Sequence, residues 1–150
     1  GFGIAATTLC LMDYVVCSES AFFSTPFSYI GVGPEGTSSV SFERVMGTSK
    51  ANEMILFGEP LSSADALRSG FVSKVFPKNE FRKCAEELVS KLQATLPKTS
   101  VLASKELIKG EKFRNRMLIA HEDECRLLKK LFLDQRTIEL IRQKFARSKI

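Results

Sequence analysis

One histidine and four cysteines, with no Cys-x-x-Cys pair among them, are all the imidazole and thiol side chains in this 150-residue sequence. A structural zinc site needs four clustered ligands, so Cys10, Cys17, Cys84 and Cys125 are expected to be reduced, mostly buried thiols, and no metal is expected. Long apolar runs are lacking too. The longest, Ile4 to Met12, is interrupted by Thr7 and Thr8 and falls far short of the roughly 20 residues that a membrane-crossing helix needs. The compositional mark of disorder is also missing: with 44% hydrophobic and 26% charged residues, the chain can bury a core as one domain or part of one.

Charge is scarce in one place that matters. From Pro26 to Ser39 the chain carries a single carboxylate, Glu35, and no other charged side chain; Glu35 lies between Pro34 and Gly36 and downstream of Phe27, Ile30 and Val32. Apolar surroundings raise a carboxyl pKa by desolvation, and a carboxylate so raised can act as a general base near neutral pH. A glutamate opening the helix that follows, where a carboxylate suits the first turn, is the competing reading.

The rest of the chain reads as alternating elements without an internal repeat. Ile4 to Met12 has the pattern of a short buried helix, Tyr14 to Cys17 and Phe22 to Ser24 of strands. Gly31 to Gly36 is a loop feeding a helix from about Thr37 to Met46, which Gly47 stops before Thr48 or Ser49 caps the next. Ser62-Ser63-Ala64-Asp65 resembles a capping box with Asp in place of Glu, and Gly70 closes that helix ahead of a strand from Phe71 to Phe76. Beyond Pro77 only helical periodicity remains. Leu88, Val89, Leu92 and Leu96 precede Pro97, Thr99 or Ser100 caps a helix with Leu102, Leu107 and Ile108, and two more helices follow with a break near Asp134-Gln135. The single histidine, His121, shares a stripe with Met117, Cys125, Leu128 and Phe132, which places it at a packed or boundary position.

Several segments together resemble a known family: Phe2-Gly3-Ile4, Asp13-Tyr14-Val15-Val16, Thr25-Pro26-Phe27, Gly33-Pro34-Glu35-Gly36, Ala51 to Gly58, Gly70 to Pro77 and Ser104-Lys105-Glu106. Their order and spacing are similar to the crotonase (enoyl-CoA hydratase/isomerase) superfamily, and within it to the peroxisomal Δ3,Δ2-enoyl-CoA isomerase branch. The resemblance implies an α/β crotonase (ClpP/crotonase-like) fold. Residues 1–97 would form the C-terminal part of the core, and 98–150 a helical region that completes the CoA pocket and assembles a homotrimer. Burial of those helices within one subunit accounts for their periodicity equally well. The match starts midway through the family pattern, so an upstream half carrying a second oxyanion amide is expected to be missing, and the chain alone is expected to be inactive.

The resemblance also assigns roles. Glu35 would be the acid/base and the Ile4 amide one of two oxyanion donors, with Gly3 allowing close approach of the backbone. Gly3, Ile4, Phe27 and Pro34 would contact substrate, joined by Phe145 and Lys149 as acyl or CoA contacts. Hydratases of the family use two glutamates, and the first would fall at Thr7, which is no general base near neutral pH. Isomerisation of 3-enoyl-CoA to the trans-2 form in unsaturated fatty acid β-oxidation is therefore expected, ahead of hydration or a non-catalytic acyl-CoA-binding role. CoA belongs to the substrate, and no further cofactor is implied.

Charge sorts along the chain. Residues 1–97 hold 8 Lys and Arg against 10 Asp and Glu, and 98–150 hold 14 against 7, so the net +5 divides into −2 and +7. The basic third lacks interleaved aromatics or a recognition motif, which argues against nucleic acid and for a solvated helix face. The family resemblance adds attraction of CoA phosphates as another use. Ser148-Lys149-Ile150 resembles the Ser-Lys-Leu address read by the peroxisomal import receptor, which makes the peroxisome the expected location, with the mitochondrion as alternative.

Overall fold

The computed structural model describes residues 1–147, except the side chains of Phe145 and Arg147. The N-terminal helix is shorter than its apolar run. α1 (Ile4–Thr7) tightens into a 3₁₀ turn at Thr8–Leu11. Two threonines explain the change, since the Thr8 hydroxyl donates to the Ile4 carbonyl at 2.8 Å and the Thr7 hydroxyl at 3.4 Å, bonds that compete with the helical ladder.

Strand β1 (Val16–Ser18) and strand β2 (Phe22–Phe23) follow. Next comes α2 (Ser38–Ile55), broken at Gly47, where φ 79° and ψ 160° divide it as the sequence pattern requires. β3 (Leu61–Ser62), which the sequence reading lacked, precedes α3 (Ser63–Arg68). The Ser62 hydroxyl accepts from the Asp65 N–H at 3.1 Å, so Ser62 caps α3 as expected, but the Asp65 carboxylate accepts from the Ser62 hydroxyl at 2.7 Å in place of the backbone N–H that a full capping box uses.

β4 (Lys74–Phe76) is the last half of the strand expected at Phe71–Phe76. Phe71 and Val72 leave it because the Val72 N–H donates to the Ala66 carbonyl at the end of α3, at 3.1 Å, and so closes that helix. β1 and β4 pair in parallel with Cys17 opposite Val75, and β2 and β3 pair antiparallel with Phe23 opposite Leu61. Four helices complete the described chain: α4 (Phe81–Thr95), α5 (Lys98–Ile108), α6 (Glu111–Phe132) and α7 (Gln135–Arg147). Pro97 fixes the entry to α5 and puts Thr99 and Ser100 inside its first turn, so neither is the expected cap.

Phe23, Phe42, Met54, Leu61, Phe71 and Val72 form the centre of the core. The Phe71 ring meets Phe23 edge-on at 5.1 Å and Phe42 at 5.5 Å between centroids. All four cysteines are free; Cys17 is buried, and burial pushes the Cys10 thiol up to about 12, which leaves it inert as a nucleophile. His121 departs from expectation and is exposed, because α6 turns the face of Met117, Ala120 and Glu124 inward. Among the described residues no group of three His, Cys, Asp or Glu side chains comes together as a metal set, and no helix is long and apolar enough to cross a membrane.

Candidate active site

Gly3 begins the site. Its φ of 52° and ψ of −126° are open to glycine and strained for other residues, and a Cβ there would stand 3.3 Å from a Glu35 carboxylate oxygen. The Gly3 N–H donates to the Ser24 carbonyl at 2.9 Å, which ties the start of α1 to the segment Ser24 to Phe27. That segment is anchored from behind: the buried Thr25 hydroxyl donates to the Met54 carbonyl near the end of α2 at 3.0 Å.

The loop carrying Glu35 closes onto α1 through Gly36, where a Cβ would come within 2.5 Å of the Thr7 hydroxyl. At the start of α2, the Ser38 hydroxyl and N–H both donate to the Glu35 carbonyl, at 2.7 and 3.1 Å. Helix α2 thus starts three residues after Glu35, and Glu35 is not part of its first turn.

These pieces enclose a cavity of about 420 Å³. Its floor is Phe2, Gly3, Pro26 and Phe27, one wall is Ile30, Val32, Gly33 and Glu35, and the C-terminal helices supply Leu128, Phe132 and Ile141. Glu35 is the one ionisable side chain lining it among the described residues. Burial pushes its carboxyl above the ordinary value and the nearby charge of Glu124 adds to that, while the Ile4 N–H facing it acts in the opposite direction.

Of the residues singled out in the sequence, Gly3, Phe27 and Glu35 come together here, with the Ile4 amide turned to the same carboxylate. The Ile4 side chain points the other way, into a groove with Thr8, Leu11 and Phe113. Pro34 does not join them. It lines a separate depression with Ser39, Glu43 and Ala51, because its neighbours Gly33 and Glu35 face the cavity and the intervening residue of an extended loop faces away. Thr7 is fully buried and is also absent from the cavity wall. Phe145 lies in the last turns of α7 with its side chain outside the described residues, and Lys149 lies outside them altogether, as does the rest of Ser148-Lys149-Ile150.

The sequence reading missed Glu124, 3% exposed, whose carboxylate accepts from the Thr37 N–H at 2.7 Å, the Ser39 N–H at 2.9 Å and the Ser39 hydroxyl at 2.6 Å. The one local signal for it was a glutamate at helical spacing with Met117, Ala120 and Leu128, which does not reveal partners more than 80 residues away.

Residues 1–146 match the enoyl-CoA hydratase/isomerase family model. The chain belongs to that family. Among curated proteins it is 39% identical over 141 residues to enoyl-CoA delta isomerase 2 of Rattus norvegicus, covering 93% of this chain and 35% of that protein. It is 37% identical over 125 residues to the peroxisomal enoyl-CoA delta isomerase 3 of Mus musculus, covering 82% and 38%. A solved enoyl-CoA hydratase/isomerase from Pseudoalteromonas atlantica superposes with a TM-score of 0.90 at 27% identity, over 97% of this chain and 58% of that one. The architecture is therefore an α/β crotonase-type fold, and the chain spans about a third of the length of the two isomerases.

Proposed function

We propose that the protein to which this chain belongs moves the double bond of a 3-enoyl-CoA to the trans-2 position, with Glu35 as the acid/base. The observation that carries this reading is a solitary carboxylate on an apolar cavity wall, beside a backbone amide at the head of a helix. Transposition requires loss of a C2 proton, stabilisation of the resulting dienolate, and return of a proton at C4. One carboxyl group with a raised pKa serves both transfers. The Ile4 N–H, at the positive end of α1, is placed to hold the thioester oxygen as charge develops there, a role worth several kcal/mol in a low-dielectric site. When substrate enters, this amide would exchange the Glu35 carboxylate for that oxygen and leave Glu35 more basic at the moment of proton abstraction.

Hydration would need a second acid in the cavity to deliver and activate water. Thr7 is buried away from it, and Glu124 is committed to Thr37 and Ser39. Phe27, Ile30 and Val32 also leave an attacking water few partners. CoA would enter as part of the substrate, with no separate cofactor. We place the protein in peroxisomal β-oxidation, on the likeness to a relative named as peroxisomal.

The deciding experiment gives one preparation of the full-length protein both 3-enoyl-CoA and 2-enoyl-CoA. The 3-enoyl substrate is expected to yield the conjugated 2-enoyl product, and the 2-enoyl substrate little 3-hydroxyacyl-CoA. Hydration faster than isomerisation would overturn the single-base reading.

A further inference from the structure

The amino end of α2 lies three residues after Glu35, and a helix start is a magnet for carboxylates because its first N–H groups lack helical partners and carry partial positive charge. No acidic residue sits in the first turn of α2, and the Thr37 side chain makes no cap hydrogen bond. Left open, those amides would compete with the Ile4 N–H for the Glu35 charge, drawing its carboxylate out of the cavity and making it a weaker base.

They are not open. Glu124 reaches across from α6 and takes the Thr37 and Ser39 amides together with the Ser39 hydroxyl, a separation of more than 80 residues in sequence. Thr37 holds φ 68°, the one positive φ outside glycine among the described residues, a strained conformation that persists where surroundings enforce it. A buried carboxylate is tolerated when its oxygens are hydrogen-bonded, as these are.

We propose that Glu124 is a positioning residue for Glu35: its carboxylate occupies the start of α2, fixes the loop that presents Glu35, and denies that helix end to the Glu35 charge. The inference rests on the reading of Glu35 as acid/base. Toward Glu35 the elements lining the cavity present no other ionisable group, since the Phe2–Gly3 and Ile30–Gly33 segments, α6 and α7 contribute apolar or glycine surfaces. Behind Thr37 and Gly36, Arg114 and His121 face the groove shared with Ile4, and Asp123 on α6 pairs with Arg126. These are the charged or titratable groups against which the Glu124 effect must be separated.

The test is made on the full-length protein, following the Glu35 carboxyl by carbon-13 NMR alongside kcat and KM. Glu124→Gln should make Glu35 titrate at lower pH and lower kcat by up to the order of 10²-fold, with KM little changed, as expected for misplacement of a reacting group by a residue that does not touch substrate. Glu124→Asp keeps the charge but withdraws it by one methylene, and should shift both readouts less in the same direction. His121→Gln should shift neither. If Glu124→Gln does not fold, Glu124→Asp carries the decision. An unchanged Glu35 titration in every folded Glu124 variant would overturn the proposal and reduce Glu124 to a structural cap. A parent without isomerase activity, whose Glu35 titration is still displaced by Glu124→Gln, would remove the isomerase reading and leave the coupling between the two carboxylates standing.

Discussion

The segment from Gly1 to Phe76 and the helices from Phe81 onward carry apolar residues at similar density and use them differently. In the first, Ala6, Phe42, Met54, Leu61, Ala66, Phe71 and Val72 are all within 2% of complete burial. In the second, α4 and α5 bury no residue, and Leu107 and Leu133 stand 88% and 82% exposed. The first region holds itself together and carries the acid. The second reaches the site only through α6 and α7, which close the cavity with Leu128, Phe132 and Ile141 and hold the start of α2 with Glu124. The cavity therefore depends on a few contacts from a region whose own packing is sparse, and the two regions should respond to mutation in opposite ways.

The largest expected effect is in the first region. In full-length protein, Glu35→Gln removes the proton acceptor with little change of volume and should lower isomerase turnover by roughly 10²–10⁴-fold. Because the folded-state pKa of Glu35 is raised, its contribution to stability is present at low pH and is lost as pH rises through the folded value. The Gln variant should therefore keep or slightly raise the melting temperature at neutral pH, while the parent's kcat/KM falls as pH drops through the raised pKa. A Gln variant with near-parental turnover would remove Glu35 from the chemistry.

Next comes the core itself. Phe42 is fully buried and meets Phe71 edge-on. Phe42→Ala should cost about 3–5 kcal/mol in a denaturant titration, the transfer and cavity penalty of an aromatic core residue. A loss below about 1 kcal/mol would show that the first region does not depend on its own core.

The same contrast explains what the sequence could reveal. The place of Glu35 on the cavity wall was legible in its apolar, glycine-rich stretch, although a helix-opening glutamate accounted for that stretch equally well, and Gly47 and the Ser62 cap were legible because helix ends are written in local chemistry. The short strands were blurred: Phe71 and Val72 look like strand residues, and the bond from the Val72 N–H back to the Ala66 carbonyl keeps them out of β4. Glu124 was hidden for a different reason. Its partners Thr37 and Ser39 are more than 80 residues away, and the stripe assigned to α6 was centred on His121 and Cys125, so the carboxylate fell off the face that proves to be buried. Pro34 went wrong at the scale of one residue, since a motif does not say which side of a loop each member faces.

A smaller effect is expected where the second region is tethered to the first. Lys105 and Lys109 bond the Asp13 carboxylate at 2.5 and 2.9 Å, and Lys109 also donates to the Leu11 and Met12 carbonyls at 2.8 Å. Hydrogen bonds from Lys105, then Lys109, hold Asp13 below its ordinary value of 3.8. That contribution is present above the ordinary value and lost as pH falls through the lower folded one. Asp13 is about half exposed, so solvent screening limits Asp13→Asn to about 0.2–1 kcal/mol at neutral pH, shrinking with added salt and disappearing as pH falls through the lowered folded value. A loss independent of salt and pH would mean that the tether is packing and not charge.

The smallest effect is the sharpest test of the comparison. Leu107 is the most exposed large apolar side chain of α5, next to Ile108 at 62% and one turn or more beyond Leu102 at 53%. In the fold of the chain itself it has almost nothing to lose, so Leu107→Ala should change unfolding free energy by no more than about 0.5 kcal/mol, the range of surface substitutions. The measurement is a denaturant titration repeated at two protein concentrations well apart, because burial against a second copy adds a term that depends on concentration and burial within the chain does not. A small change at both concentrations keeps α5 a solvated face. A loss that grows with concentration would place its Val101, Leu102, Leu107 and Ile108 against another subunit, and the sparse packing of the second region would then be a property of the isolated chain only.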